Sequence, residues 1–142
     1  MHILVIEDSP EFRRSMVMIL KSAGHSVSEG GTLLEGIHLA TEHPPDVVLL
    51  DLQLPDSHGS ASVMRFAETG LPIVVLTGMT DESTLRGCIA AGAVDVLHKP
   101  TRTAELLHTL IRAHALAEAR PLPSVLGGII RDGMLKWAAK AT

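Results

Sequence analysis

Three short runs with no polar residue, Ile3-Leu4-Val5-Ile6, Val47-Val48-Leu49-Leu50 and Ile73-Val74-Val75-Leu76, constrain this chain more than any other feature. Each is too short for a helix, rich in β-branched residues and closed by polar or turn residues. Such runs read as strands buried on both faces. Weaker strands are expected at His25–Ser28 and Val94–Leu97. Between the runs, apolar residues recur at helical spacing. Phe12, Met16, Ile19, Leu20 and Ala23 form one stripe, with Pro10 suited to a first helical turn and Gly24 to a stop. Leu33, Ile37 and Ala40 form a second, ended by Pro44-Pro45. Val63, Phe66 and Ala67 form a third, Leu85 and Ile89 a fourth, and Leu106, Leu107, Leu110, Ile111 and His114 a fifth. Strand and helix thus alternate five times. Right-handed crossovers between parallel strands then predict an open, doubly wound α/β sheet in three layers, with helices on both faces and order 2-1-3-4-5.

The full sequence has 142 residues, room for one domain, and its 46% hydrophobic content excludes wholesale disorder. No apolar stretch approaches the ~20 residues of a membrane span. The opening MHILVIEDSP is neither signal peptide nor anchor, so a cytoplasmic protein is expected. Residues 1–120 hold nine Lys/Arg against fifteen Asp/Glu, whereas 121–142 hold three against one. Together with Pro121-Leu122-Pro123 and Gly127-Gly128, that change of sign predicts a domain over 1–120 and a tail or linker over 121–142. In the tail, Ile129, Ile130, Met134, Leu135 and Trp137 suggest a short amphipathic helix. An acidic balance with two Phe, one Trp and no Tyr argues against a nucleic-acid surface. The single Cys88 excludes an internal disulfide and a multi-thiolate metal site, and reads as a small buried hydrophobe. No phosphate-binding glycine motif of the nucleotide-binding kind occurs.

In such a sheet, ligands bind beyond the carboxyl ends of the strands where the strand order reverses. Glu7 and Asp8 follow the first strand and Asp51 follows the third, so three carboxylates should converge on one crevice. Taken singly, Asp8 is as well explained by a helix N-terminus and Asp51 by a loop opening. Jointly they repel one another unless a cation intervenes. A hard divalent ion such as magnesium fits carboxylate oxygens best, and the eight scattered His offer no softer competing site. Thr77 follows the fourth strand and Lys99 the fifth, adding a hydroxyl donor and a positive charge, the parts that phosphoryl transfer to a carboxylate needs. The Lys99–Pro100 bond is a candidate for the cis form, which would fix the loop that aims Lys99.

With Glu7-Asp8, Asp51-Leu52-Gln53-Leu54-Pro55 and Gly59, Thr77-Gly78, Ala91-Gly92-Ala93 and Lys99-Pro100 in register at the expected strand ends, residues 1–120 resemble the receiver domain of two-component response regulators, of the CheY-like kind. The resemblance implies that Asp51 takes a phosphoryl group from a sensor histidine kinase or a histidine phosphotransfer protein. It implies that Glu7, Asp8, Asp51 and the backbone carbonyl of Gln53 hold Mg2+, with Mn2+ as an alternative, and that Thr77 and Lys99 contact the phosphoryl oxygens. The output would be a conformational switch, not catalytic turnover. Gln53 and Met79 would flank the phosphoryl group, and an apolar Met79 would lengthen its lifetime. Three details depart from common members. Val96 stands where a switch aromatic is frequent, Thr101 where many members have Phe, and His108-Thr109 where the transcription-factor subgroup is more basic. Output through aliphatic repacking of the fourth helix, fifth strand and fifth helix is therefore expected. The downstream partner is a separate protein or an effector domain beyond residue 142, with a homodimer left open. Rival readings are a phosphate-independent pseudo-receiver and a haloacid-dehalogenase-type hydrolase. The hydrolase wants a second Asp where this chain has Gln53. His58 and His98 lie near the site and read as surface residues.

Overall fold

The computed structural model describes residues 1–119. The expected tail over 121–142, with its Trp137 helix, lies outside the described residues. Seven strands and five helices follow in the order β1 (His2–Ile6), α1 (Pro10–Ser22), β2 (Ser26–Gly30), α2 (Leu33–Glu42), β3 (Val47–Leu50), β4 (Gln53–Leu54), β5 (Ser57–His58), α3 (Ser60–Ala67), β6 (Ile73–Thr77), α4 (Glu82–Ala91), β7 (Asp95–His98) and α5 (Thr103–Glu118). Five strands make one parallel sheet in the order β2-β1-β3-β6-β7, the expected doubly wound arrangement.

The pleat sorts the apolar runs between two cores. Ile3, Val5, Val47, Leu49, Val74 and Leu76 face α1 and α5, where Met16, Leu20, Leu106 and Leu110 meet them. Leu4, Ile6, Val48, Leu50, Ile73 and Val75 face the other way, toward Leu33 of α2, Val63 and Phe66 of α3 and Cys88 of α4. Both faces are covered, which is why the central runs contain no polar residue. The edge strand β2 reads Ser-Val-Ser-Glu-Gly and has only one buried residue, so its periodicity is weak, and it starts one residue and ends two residues later than expected. β7 is displaced by one, to Asp95–His98.

Helix boundaries follow local chemistry. Ser9 Oγ accepts the Phe12 N–H at 3.3 Å and Pro10 opens α1. Gly24, at φ +95, closes it, with its N–H bonded to the Lys21 carbonyl and that of His25 to the Leu20 carbonyl. This pair is the Schellman arrangement, which needs a residue at positive φ. Two stripe assignments change. In α4, Cys88 is buried as expected but Ile89 is 50% exposed. In α5, Thr109 is buried and Ile111 is 52% exposed, because Leu106, Leu110 and Ala113 already complete the inward face.

Two helical glycines provide a test. A Cβ on Gly36 of α2 would lie 2.2 Å from Ile6 Cδ1 and 2.7 Å from its Cγ1, inside the packed core, whereas one on Gly87 of α4 would meet only Ser60 at 3.5 Å. Gly36→Ala is expected to destabilise the fold by about 1–3 kcal/mol through overpacking. Gly87→Ala is expected to leave stability unchanged or raise it by up to about 1 kcal/mol through helix propensity. Urea unfolding followed by circular dichroism distinguishes the two; an equal response would contradict the packing argument.

Candidate functional site

The carboxyl ends of β1, β3, β6 and β7 carry Glu7-Asp8, Asp51, Thr77 and Lys99. Backbone bonds hold these ends in step. The Asp51 N–H donates to the Ile6 carbonyl at 3.0 Å, that of Glu7 to Gly30 at 3.0 Å, and that of Lys99 to Thr77 at 2.9 Å. The sheet register therefore places residues from opposite ends of the chain side by side. Thr77 is the last residue of β6 and is fully buried, not a residue beyond the strand.

Lys99 is the cation of the cluster. Its Nζ donates to Glu7 Oε1 at 2.6 Å and lies 3.6 Å from Asp51 Oδ1. Glu7 and Asp51 are each 4% exposed, so this is a largely desolvated ion cluster. The second Glu7 oxygen accepts the Ser9 N–H at 3.1 Å, and Asp51 Oδ1 accepts the Leu52 N–H at 2.9 Å. Ser9, not Asp8, makes the capping bond of α1. Oxygens of Glu7, Asp8 and Asp51 lie within 4.8 Å of one another, Asp8 being exposed and the other two buried. Such a set of hard carboxylate donors, one side open to solvent, suits a divalent cation that keeps several waters.

Burial, reinforced by the neighbouring Glu7 charge, pushes the Asp51 carboxyl up to about 6; Lys99 and the backbone N–H groups of Leu52 and Gln53 pull the other way. Three carboxylates and one ammonium leave the site short of positive charge. A cavity of about 10 Å³ beside the acids, lined in part by Phe12, Met16 and Leu76, has at most the room of one water.

Of the other sequence-expected residues, Gln53 begins β4 with its side chain exposed, and the Met79 N–H donates to Thr77 Oγ1 at 3.1 Å. Val96, like Met79 and Ala91, packs against the core on the α2–α4 side of the sheet, two residues before the end of β7. Lys99–Pro100 is cis. Phe12, expected only as part of the α1 stripe, and Arg13, which no sequence pattern singled out, belong here. The Lys99 ammonium lies 4.4 Å from the centre of the Phe12 ring, a cation–π contact. Arg13 donates to the Glu7 carbonyl at 2.6 Å and pairs with Glu29 at 3.1 Å. Phe12 already had a role in the α1 stripe, so no separate signal marked it. Arg13, six residues after Glu7, could have been suspected only from the α1 turn that brings it back.

The Asp51 shift has a definite sign. Its folded pKa of about 6 exceeds the ordinary 3.8, so the folded state holds the extra proton and loses stability as pH rises through that window. Asp51→Asn is expected to stabilise the metal-free protein relative to wild type, by an amount that grows from about pH 4 to about pH 6 and is then constant, at roughly 1–2 kcal/mol. Urea midpoints at the two ends of that range measure it; a gap that does not widen with pH would contradict this electrostatic account.

Residues 3–111 match the family model described as response regulator receiver domain. The KDP operon transcriptional regulatory protein KdpE of Escherichia coli K12 is 33% identical over 122 residues, 83% of this chain and 54% of that protein. The transcriptional regulatory protein KdpE of Mycobacterium tuberculosis is 38% identical over 110 residues, 76% of this chain and 48% of that protein. This chain therefore spans about half the length of these curated relatives. A CheY-like response regulator receiver domain protein from Methanospirillum hungatei JF-1 superposes with a TM-score of 0.76 at 24% identity, covering 82% of this chain and 95% of the other, a likeness of fold.

Proposed function

Since the chain belongs to the response regulator receiver domain family, we propose that Asp51 is its phosphoacceptor, taking the phosphoryl group of a phosphohistidine on a sensor kinase or phosphotransfer protein. The observation that carries this reading is the Lys99 ammonium at 2.6 Å from Glu7 and 3.6 Å from Asp51, with Asp8 completing the acidic set. With a carboxyl pKa of about 6, Asp51 is mostly ionised at neutral pH and has an oxygen lone pair for attack. The new O–P bond forms as the P–N bond of the donor breaks, and the imidazole keeps the electron pair. Lys99 then exchanges part of its contact with Glu7 for a phosphoryl oxygen, and the Thr77 hydroxyl donates to another. Glu7, Asp8, Asp51 and the Gln53 backbone carbonyl would hold Mg2+, or Mn2+ in its place. The ion when bound neutralises charge between the carboxylates and the incoming phosphoryl oxygens.

The consequence is a switch rather than turnover. A phosphoryl group adds about −1.5 to −2 charge at a point already rich in anions, so Lys99 and Thr77 reorient and shift a conformational equilibrium. With Val96 in place of a switch aromatic, the shift travels by aliphatic repacking of α4, β7 and α5, with Met79, Ala91 and Val96 each packed against the core on the α4 side of the sheet. Residues 1–120 act as the receiver and 121–142 as tail or linker. The partner is a separate protein, a second copy of this chain, or an effector segment of the kind that the named transcriptional regulators carry in their other half; the chain itself takes up no nucleic acid. Among the described residues no helix is long and apolar enough to cross a membrane, which fits a cytoplasmic partner for a kinase. Gln53, in the place where a dehalogenase-type hydrolase wants a second acid, disfavours hydrolytic turnover.

Incubation with acetyl phosphate and magnesium is expected to give one acid-stable, base-labile phosphoryl adduct on wild type and none on Asp51→Asn. Lys99→Ala is expected to slow its formation at least ~100-fold, as loss of a charge stabiliser does. Turnover of phosphate esters would favour the hydrolase, and no adduct the pseudo-receiver. Replacing Met79 with Ser is expected to shorten the adduct half-life severalfold, on the order of the effect of losing a water-excluding group. A half-life equal to wild type would remove Met79 from the account.

A further inference from the structure

Outside the acidic cluster, the most informative contact is made by a residue that the phosphoryl reading leaves unused. Asp56 lies at the tip of the β4–β5 hairpin, which starts two residues after Asp51. Its Oδ1 accepts the Leu33 N–H at 2.8 Å and its Oδ2 the Leu34 N–H at 3.0 Å. These are the first two N–H groups of α2, which have no acceptor within their own helix, and a carboxylate there also meets the positive end of the helix dipole. The third, on Glu35, is taken by Thr32 Oγ1 at 3.0 Å. α2 thus has a local cap from its own chain and a second, charged cap delivered by a loop more than twenty residues away in sequence.

We propose that Asp56 is a positioning residue for the cation site, clamping the hairpin to α2 so that the backbone of Gln53 keeps its place beside Asp51. The inference rests on the reading of Glu7, Asp8, Asp51 and the Gln53 carbonyl as the cation's ligands. Segment 51–58 is pinned at both sides of Gln53. Before it, the Asp51 N–H is tied to Ile6 and Leu52 is fully buried. After it, Leu54 is buried, Asp56 holds α2, and Ser57 Oγ accepts from Ser62 Oγ of α3 at 2.7 Å. β4 and β5 supply only two residue pairs, too few to hold a hairpin by themselves. A carbonyl ligand has no side chain to adjust, so its position is only as fixed as the loop that bears it. Partners of this supporting kind typically change metal affinity by about 10- to 100-fold when removed.

The test uses the full chain and Mn2+ as the probe, with free ion counted by electron paramagnetic resonance, alongside thermal unfolding. Wild type is expected to bind one Mn2+ in a manner lost in Asp51→Asn. Asp56→Ala is expected to raise the Kd about 10-fold. Asp56→Asn, which keeps a neutral acceptor, should fall between the two and keeps the test open should the alanine variant unfold. Thr32→Ala, which removes a cap from the same helix without touching the hairpin, should lower thermal stability and leave the Kd unchanged. Mn2+ affinity unchanged in both Asp56 variants, or weakened equally in Thr32→Ala, overturns the inference while leaving the phosphoryl reading intact. A wild type with no Asp51-dependent Mn2+ binding overturns the ligand reading and this inference with it.

Discussion

The ammonium of Lys99 between Glu7 and Asp51 is the contact on which the site depends. Two carboxylates at 4% exposure repel one another and resist ionisation, and the fold tolerates them because a cation from the last strand is brought 2.6 Å from one and 3.6 Å from the other. The compensation is incomplete, as the raised Asp51 carboxyl shows. A site short of positive charge accepts more of it readily, and Lys99 lies between the two buried acids.

That arrangement needs a rigid frame, because at separations of 3–4 Å a displacement of one ångström changes the interaction greatly. The frame is the parallel sheet. Its central strands are buried on both faces, and the bonds from Asp51 to Ile6 and from Lys99 to Thr77 carry the register through to the site. Phe12 adds a face for the ammonium from α1, and Asp56 links the hairpin to α2. Glu7, Asp8 and Asp51 therefore sit on loops whose first residues extend the buried strands β1 and β3, and Lys99 reaches them from the end of the edge strand β7.

Much of this was legible in the sequence, and the reason differs by element. The runs at 3–6, 47–50 and 73–76 were unambiguous because burial on both faces removes polar residues. β2 and β7 are edges, where one side meets water and the pattern thins, so each starts one residue later than expected. The β4–β5 hairpin escaped notice because two-residue strands carry no periodicity. Helical spacing placed Ile89 and Ile111 inward, yet both are exposed, while Cys88 is buried as expected and Thr109 turns inward, since the angle at which a helix lies on the sheet is not a local property.

By itself the sequence determined that acids follow β1 and β3, that a Thr closes the run of β6 and that a Lys follows β7, because a strand's end is near where its apolar run stops, although the structure counts Thr77 within β6. Parallel order then brings these ends to one edge. Only the tertiary structure decided that Lys99 chooses Glu7 over Asp51, that Ser9 and not Asp8 caps α1, that Phe12 lies under the ammonium, and that Asp56 reaches α2. These depend on helix placement and side-chain direction set by long-range packing. Such packing is a property of the assembled core and leaves no spacing along the chain.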